Sequence, residues 1–219
     1  MNEQLKSDFN KITESLKLSK KNIDLRQKNL DEFIKQGFPT KKIEDWKFSD
    51  MSQIISSNIK KLSFFNDIEN NKKDSFNYLD NFEHNKIIFV NGALLKVNLD
   101  NEDKDKIEII DDINFDYEKN IVNSLVSLNN ALTSKYIKFT IKKNYELKKP
   151  LVIYNFTNQN LNSKNVNLRI DINLEDNCSL KLINLFEDFS ENNFININNQ
   201  FKVGKNSILK NYIIDNKYN

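Results

Sequence analysis

Leu174-Glu175-Asp176-Asn177-Cys178-Ser179-Leu180-Lys181 decides the fold, because its pattern recurs twice. It stands earlier at Ile141-Lys142-Lys143-Asn144-Tyr145-Glu146-Leu147-Lys148 and later at Val203-Gly204-Lys205-Asn206-Ser207-Ile208-Leu209-Lys210. The asparagines are 33 and 29 residues apart, and a fixed period of this size marks stacked structural units. Each unit reads as a strand, a turn ending in Asn, and another strand. The strand before the second turn places Val166, Leu168, Ile170, Ile172 and Leu174 on one face and Asn167, Arg169, Asp171 and Asn173 on the other. That alternation predicts one buried and one wet face. Coils stacked about 4.8 Å apart would align three apolar columns: Ile141/Leu174/Val203, Leu147/Leu180/Leu209 and Phe139/Ile172/Phe201. Asn144, Asn177 and Asn206 would form a turn ladder, since Asn tolerates left-handed backbone. An antiparallel sandwich would also alternate. The columns and the Asn recurring in register favour a right-handed β-solenoid, or β-helix, in which each coil contacts only its neighbours.

Upstream of the repeats the period changes. Leu5, Phe9, Ile12 and Leu16 fall on one helical stripe. A second helix runs from about Ile23 to Gln36, with Leu30, Phe33 and Ile34 apolar and Gly37 then Pro39 as a stop. Mixed helical spacing continues from Asp45 to Ile59, and Asn66 to Lys73 is a polar break. Ile87-Ile88-Phe89-Val90, then Asn91-Gly92, then Ala93 to Val97 is a hairpin signal, because both turn residues accept positive φ. A charged loop from Asp100 to Lys106, a strand from Ile107 to Ile110 and a short helix from Ile121 to Leu132 complete the bridge to the repeats. The expected class is mainly β with a helical N-terminus: a helical hairpin region over 1–85, a hairpin and short-helix transition over 86–134, and the first solenoid coils over 135–219.

Composition narrows the chemistry. Thirty-three basic and 31 acidic residues leave a formal charge of +2 with the signs interleaved, so no strong field gathers nucleic acid or an anionic membrane. The first residues resemble no leader and no stretch is long enough to span a bilayer, which points to a soluble, cytoplasmic protein. The three glycines stand alone at 37, 92 and 204, whereas phosphate-cradling loops need them clustered. One Cys and one His cannot make a disulfide or a typical zinc site.

Each remaining candidate has a plainer reading beside it. Cys178 could carry sulfur or ligate a cluster, yet with no second thiol nearby it reads as a small side chain at a coil corner. Lys148, Lys181 and Lys210 could face an acidic partner; a row of outward lysines guarding a sheet is commoner. Asp111, Asp112 and Asp116 could bind a cation or act as a glycosidase pair, but they precede the repeats. A polysaccharide-active enzyme would need two carboxylates at suitable separation on one solenoid face, and the repeats offer only the turn pair Asp171 and Glu175 and scattered neighbours. His84 reads as an exposed loop histidine, and Trp46 as an anchor docking helices on a sheet edge.

Three segments carry a family resemblance: Pro39 to Met51 with its Asp45-Trp46-Lys47-Phe48-Ser49 core, Phe89-Val90-Asn91-Gly92, and Ser127 to Leu132 running into Tyr136 to Ile141 and Leu147-Lys148-Lys149-Pro150-Leu151. In this order they resemble SufD, of the SufB/SufD family of iron–sulfur cluster assembly proteins. The resemblance implies a non-enzymatic scaffold subunit of the SUF (SufBCD) complex, partnered by SufB and a SufC-type ATPase. It implies no cofactor on this chain alone, with the iron–sulfur cluster formed at the level of the complex. Family members run further, through more coils and a C-terminal helical domain, so the chain reads as an incomplete fragment. No catalytic, cofactor-binding or metal residue is carried over, and an open solenoid end implies possible self-association. A stand-alone solenoid adaptor acting by strand addition is the alternative, and a polysaccharide-active enzyme is the more distant one.

Overall fold

Side-chain caps from Ser19, Asp50 and Asn123 set the starts of three helices in this chain. The computed structural model describes residues 1–59, 61–65, 76–115, 123–158, 161–188, 190 and 192–217. Helix α1 (Asn2–Ser15) buries the predicted stripe of Leu5, Phe9 and Ile12. Helix α2 (Lys20–Gln36) starts before Ile23 because the Ser19 side chain accepts the Asn22 N–H, and it ends as Gly37 turns to φ 72° and its N–H bonds Phe33. Helix α3 (Met51–Asn58) is capped by Asp50, which accepts the Gln53 N–H.

Trp46 departs from expectation. It is half-buried in a short 3₁₀ turn over Glu44–Trp46, outside the apolar cluster of the helices. Phe38 takes the docking position instead. Directly after the Gly37 reversal, its ring meets Phe33 edge-on at 5.1 Å and Phe194 at 5.6 Å. The charged turn that follows then carries Trp46 along the surface. The polar break at Asn66 to Lys73 lies outside the described residues, as does Ile121; the short helix α4 is described over Ser124–Leu132.

Strands β1 (Asn85–Val90) and β2 (Ala93–Asn98) form the predicted hairpin, with Asn91 and Gly92 at φ 51° and 78°. Strand β3 (Ile107–Ile110) pairs antiparallel with β4 (Lys135–Ile141). Then follow β5 (Leu151–Phe156), β6 (Asn165–Leu174), β7 (Ser179–Asp188), β8 (Phe194–Val203) and β9 (Ile208–Lys217). The strands divide between a five-stranded sheet, β2-β1-β5-β7-β9, and a four-stranded sheet, β3-β4-β6-β8. From β4 onward the chain alternates between the two, and each strand pairs in parallel with the strand two places later. The protein is therefore mixed α/β, with helices at the N-terminus and two sheets.

The register agrees with the columns. Ile141 pairs with Leu174 and Leu174 with Val203; Phe139 pairs with Ile172 and Ile172 with Phe201; Leu180 pairs with Leu209. The Leu147 N–H bonds the Ser179 carbonyl, which continues the third column. Ile137, Phe139, Ile141, Leu151, Leu168, Leu174 and Leu182 are buried in the core between the sheets. Alternation in β6 holds for direction but not for wetness. Asn167 and Arg169, on the supposed wet face, are 4% and 1% exposed. The reason is α4, which lies on that face: the Asn129 amide donates to the carbonyls of Leu168 and Asn196.

Candidate functional site

The turn between strands is the most repeated local structure. Asn144, Asn177 and Asn206 have φ of 61°, 57° and 57°. Their side chains form a ladder, with the Asn177 amide donating to Asn144 at 2.7 Å and the Asn206 amide to Asn177 at 3.1 Å. Each Asn thus supplies both the left-handed backbone and a bond to the next turn. Cys178 follows the ladder. It is 2% exposed, and its thiol lies 3.2 Å from the Lys142 carbonyl and 3.6 Å from that of Ile141. A buried thiol spent on carbonyls is a corner residue, in line with the plainer reading.

The lysines of the Lys148/Lys181/Lys210 row are exposed, and Lys181 pairs directly with Lys210. Asp111 accepts from Lys135, Asp112 caps its own turn by accepting the Asn114 N–H, and Asp116 lies outside the described residues. Asp171 is held by Arg169 at 2.9 Å and by the Tyr136 hydroxyl, while Glu175 accepts the Lys143 N–H. Both carboxylates of that pair are thus committed to the fold. Among the described residues, no three His, Cys, Asp or Glu side chains converge as a metal site would need. His84 is half-buried rather than exposed, because Tyr154 meets its Nε2 at 2.7 Å and Phe82 its Nδ1 at 2.9 Å.

Two polar clusters were not foreseen from the residues. Arg26 and Arg169, the only arginines among 33 basic residues, are both fully buried with Phe115 between them, at 5.9 Å and 4.7 Å from the guanidinium carbons. Arg26 donates to the carbonyls of Ala131 and Thr133 at the end of α4; Arg169 donates to Asp171, Asn130 and Gln200. Together they clamp α2 and α4 to the four-stranded sheet. A planar fork serves several acceptors at once where an ammonium cannot, and the retention of Arg in a Lys-dominated chain was the available signal. Burial pushes the Tyr136 phenol above its ordinary value, and Asp171 adds to the shift. The second cluster is Asp103, fully buried in the loop read as charged. It accepts from the Asn85 amide, the Tyr145 hydroxyl and the backbone N–H groups of Lys148 and Lys149.

Exposed apolar side chains cluster on β8 and β9. Among the described residues each has a strand neighbour on one side only. Val203, Ile208, Tyr212 and Ile213 are 46%, 57%, 55% and 68% exposed, although Val203 continues a column whose preceding members are at most 1% exposed. Two strand edges with apolar side chains beside them can take further β-structure by backbone pairing.

A helical layer clamped onto parallel strands that stack in register, with exposed edges on the last of them, describes the class of protein. A model of the SufBD protein N-terminal region matches residues 1–153, more than two thirds of the 219 residues. The chain belongs to the SufBD family, and this membership gives it a role in the SUF system of iron–sulfur cluster assembly. No curated protein matches the sequence. Among the described residues no helix is long and apolar enough to cross a membrane.

Proposed function

We propose that the chain is a non-catalytic scaffold subunit of the SUF complex, of the SufD type, and that its two sheets are the first coils of a right-handed β-solenoid. The observation that carries the reading is the in-register parallel stacking of Ile141, Leu174 and Val203 and of Phe139, Ile172 and Phe201 beside exposed strand edges. Such a stack grows by adding one more rung, so it is suited to joining other β-structure. The commitment of Asp171, Glu175 and Cys178 to structural bonds supports a scaffold over a polysaccharide-active enzyme. The partners are SufB and a SufC-type ATPase in the cytoplasm. The iron–sulfur cluster is cargo of the assembled complex, and the chain holds no cofactor by itself. Depleting the chain from its own cell tests this: cluster content of the cell's iron–sulfur proteins should fall, and unchanged content would overturn the proposal.

A further inference from the structure

The segment 76–84 crosses the outer face of the five-stranded sheet, away from the core between the sheets. Phe76 stacks on Phe156 at 4.3 Å, and Tyr78 meets Tyr154 edge-on at 5.2 Å. Beneath them Ile88, Val152, Tyr154, Phe156 and Leu185 form a separate apolar cluster. Phe76, Tyr78 and Leu79 of this strap pack on that cluster and cover it.

The far end of the strap is held by a hydrogen-bond chain through Tyr154 and His84 and by the Glu83–Lys149 ion pair at 2.9 Å. The Leu79 N–H donates to the Tyr154 hydroxyl at 3.1 Å, and the same hydroxyl lies 2.7 Å from His84 Nε2. His84 Nδ1 lies 2.9 Å from the Phe82 carbonyl, which can only accept. The ring proton therefore sits on Nδ1, and Nε2 accepts from Tyr154. Adding a proton at Nε2 turns that acceptor into a donor. The Tyr154 oxygen can accept from both the Leu79 N–H and the charged ring, but its own proton loses its acceptor and must turn away from Nε2.

We propose that His84 is a pH-operated latch: neutral, it fastens the 76–84 strap over the outer sheet face, and protonated, it releases the strap and uncovers that apolar face. The charged surroundings bear on the ring from every side. Lys86 on β1 opposes a second positive charge and Asp80 on the strap favours it. Glu83 and Asp100 are paired with Lys149, which is placed just before β5, and Tyr78 sits under Lys86 at 5.4 Å. Burial comes first among the influences and, with Lys86, holds the imidazole below its ordinary 6.5. An open cleft lined by Asp80, Glu83, Lys86 and Asn101 gives the ring access to solvent protons.

A group whose value is depressed in the closed state stabilises that state above its ordinary value and loses that contribution as pH falls. The open fraction should thus rise on acidification. The limit at about pH 5.5 is roughly tenfold, reached when the released ring titrates at 6.5 and the latched ring not at all. His84 is the only histidine, so a proton NMR titration of the whole chain reads it directly, and amide exchange at Leu79 reads the latch. Expected results are a midpoint below 6.5 and Leu79 protection, corrected for intrinsic exchange, that declines severalfold from about pH 7.5 to about pH 5.5. His84→Gln keeps an acceptor for Tyr154 without titrating, so its protection should not vary with pH. A midpoint at or above 6.5, pH-independent protection in the native chain, or the same decline in His84→Gln would overturn the latch. The titration of the native chain decides alone if the variant does not fold.

Discussion

Replacing Arg169 by Met tests the clamp that holds the helices on the sheet. The guanidinium is 1% exposed and donates to Asp171 at 2.9 Å and 3.3 Å, to Asn130 at 3.0 Å and to Gln200 at 2.6 Å. Met fills most of the volume but withdraws a donor from three acceptors, of which Asp171 keeps only the Tyr136 hydroxyl at 3.2 Å. Breaking a buried pair from one side costs about 3–5 kcal/mol. Asp171 keeps 22% of its side chain in contact with water, so the lower end, about 3 kcal/mol, applies. For a chain of this size that is roughly 6–12 °C in Tm. Arg169→Lys should fall between, because a single ammonium cannot reach all three acceptors. Adding Asp171→Asn to Arg169→Met should recover part of the loss, since the stranded charge is then gone. Urea denaturation followed by circular dichroism measures this, with the midpoint moving and the slope unchanged. A loss below about 1 kcal/mol for Arg169→Met, the range of an exposed pair, would refute the reasoning.

Asn177→Ala should cost about 1–2 kcal/mol, because Ala is strained at φ 57°, whereas Asn177→Gly should cost less; equal losses in urea melts would show that the ladder bonds and not the backbone dominate. Gly92→Ala should destabilise the hairpin, since Gly92 has φ 78° and an added Cβ would overlap the Val166 side chain, and a thermal melt matching the native one would contradict this. Burial by itself would raise the Asp8 carboxyl, but bonds from the Gln4 amide, the Phe64 N–H and Lys11 outweigh it and hold Asp8 below 3.8. Its depressed folded value means that Asp8 contributes stability above about pH 3.8 and loses it as pH falls through the folded value. Asp8→Asn should therefore flatten the acid limb of stability against pH, and an unchanged limb would count against the bond network. Cys178, at 2% exposure, should react with a thiol reagent at the rate of unfolding, and rapid labelling of the native chain would show an open corner.

The columns of the two sheets were legible because parallel stacking forces equivalent residues into register, so Leu174 announces both Ile141 and Val203. The Asn turns were legible for a related reason: few residues other than Gly accept that backbone. Burial of the outer face of β6 was not, since alternation reports direction while exposure of Asn167 and Arg169 depends on α4, which is distant in sequence. Trp46 misled because its size argues for a core place, and only the Gly37 reversal decides that Phe38 fills it. The charged loop from Asp100 to Lys106 gave no sign that Asp103 is buried; its donors come from Asn85, Tyr145 and the backbone near Lys148, and no local pattern joins them. The family segments led to the SufB/SufD family, which the match over residues 1–153 establishes.

The central claim is that this chain is a structural subunit of the SUF assembly. Co-expression with SufB and a SufC-type ATPase from the same organism, followed by affinity capture on this chain, tests it most directly. The account predicts that both partners are recovered in fixed proportion and that the captured complex carries the iron–sulfur cluster. Recovery of the folded chain alone, with neither partner, would contradict it.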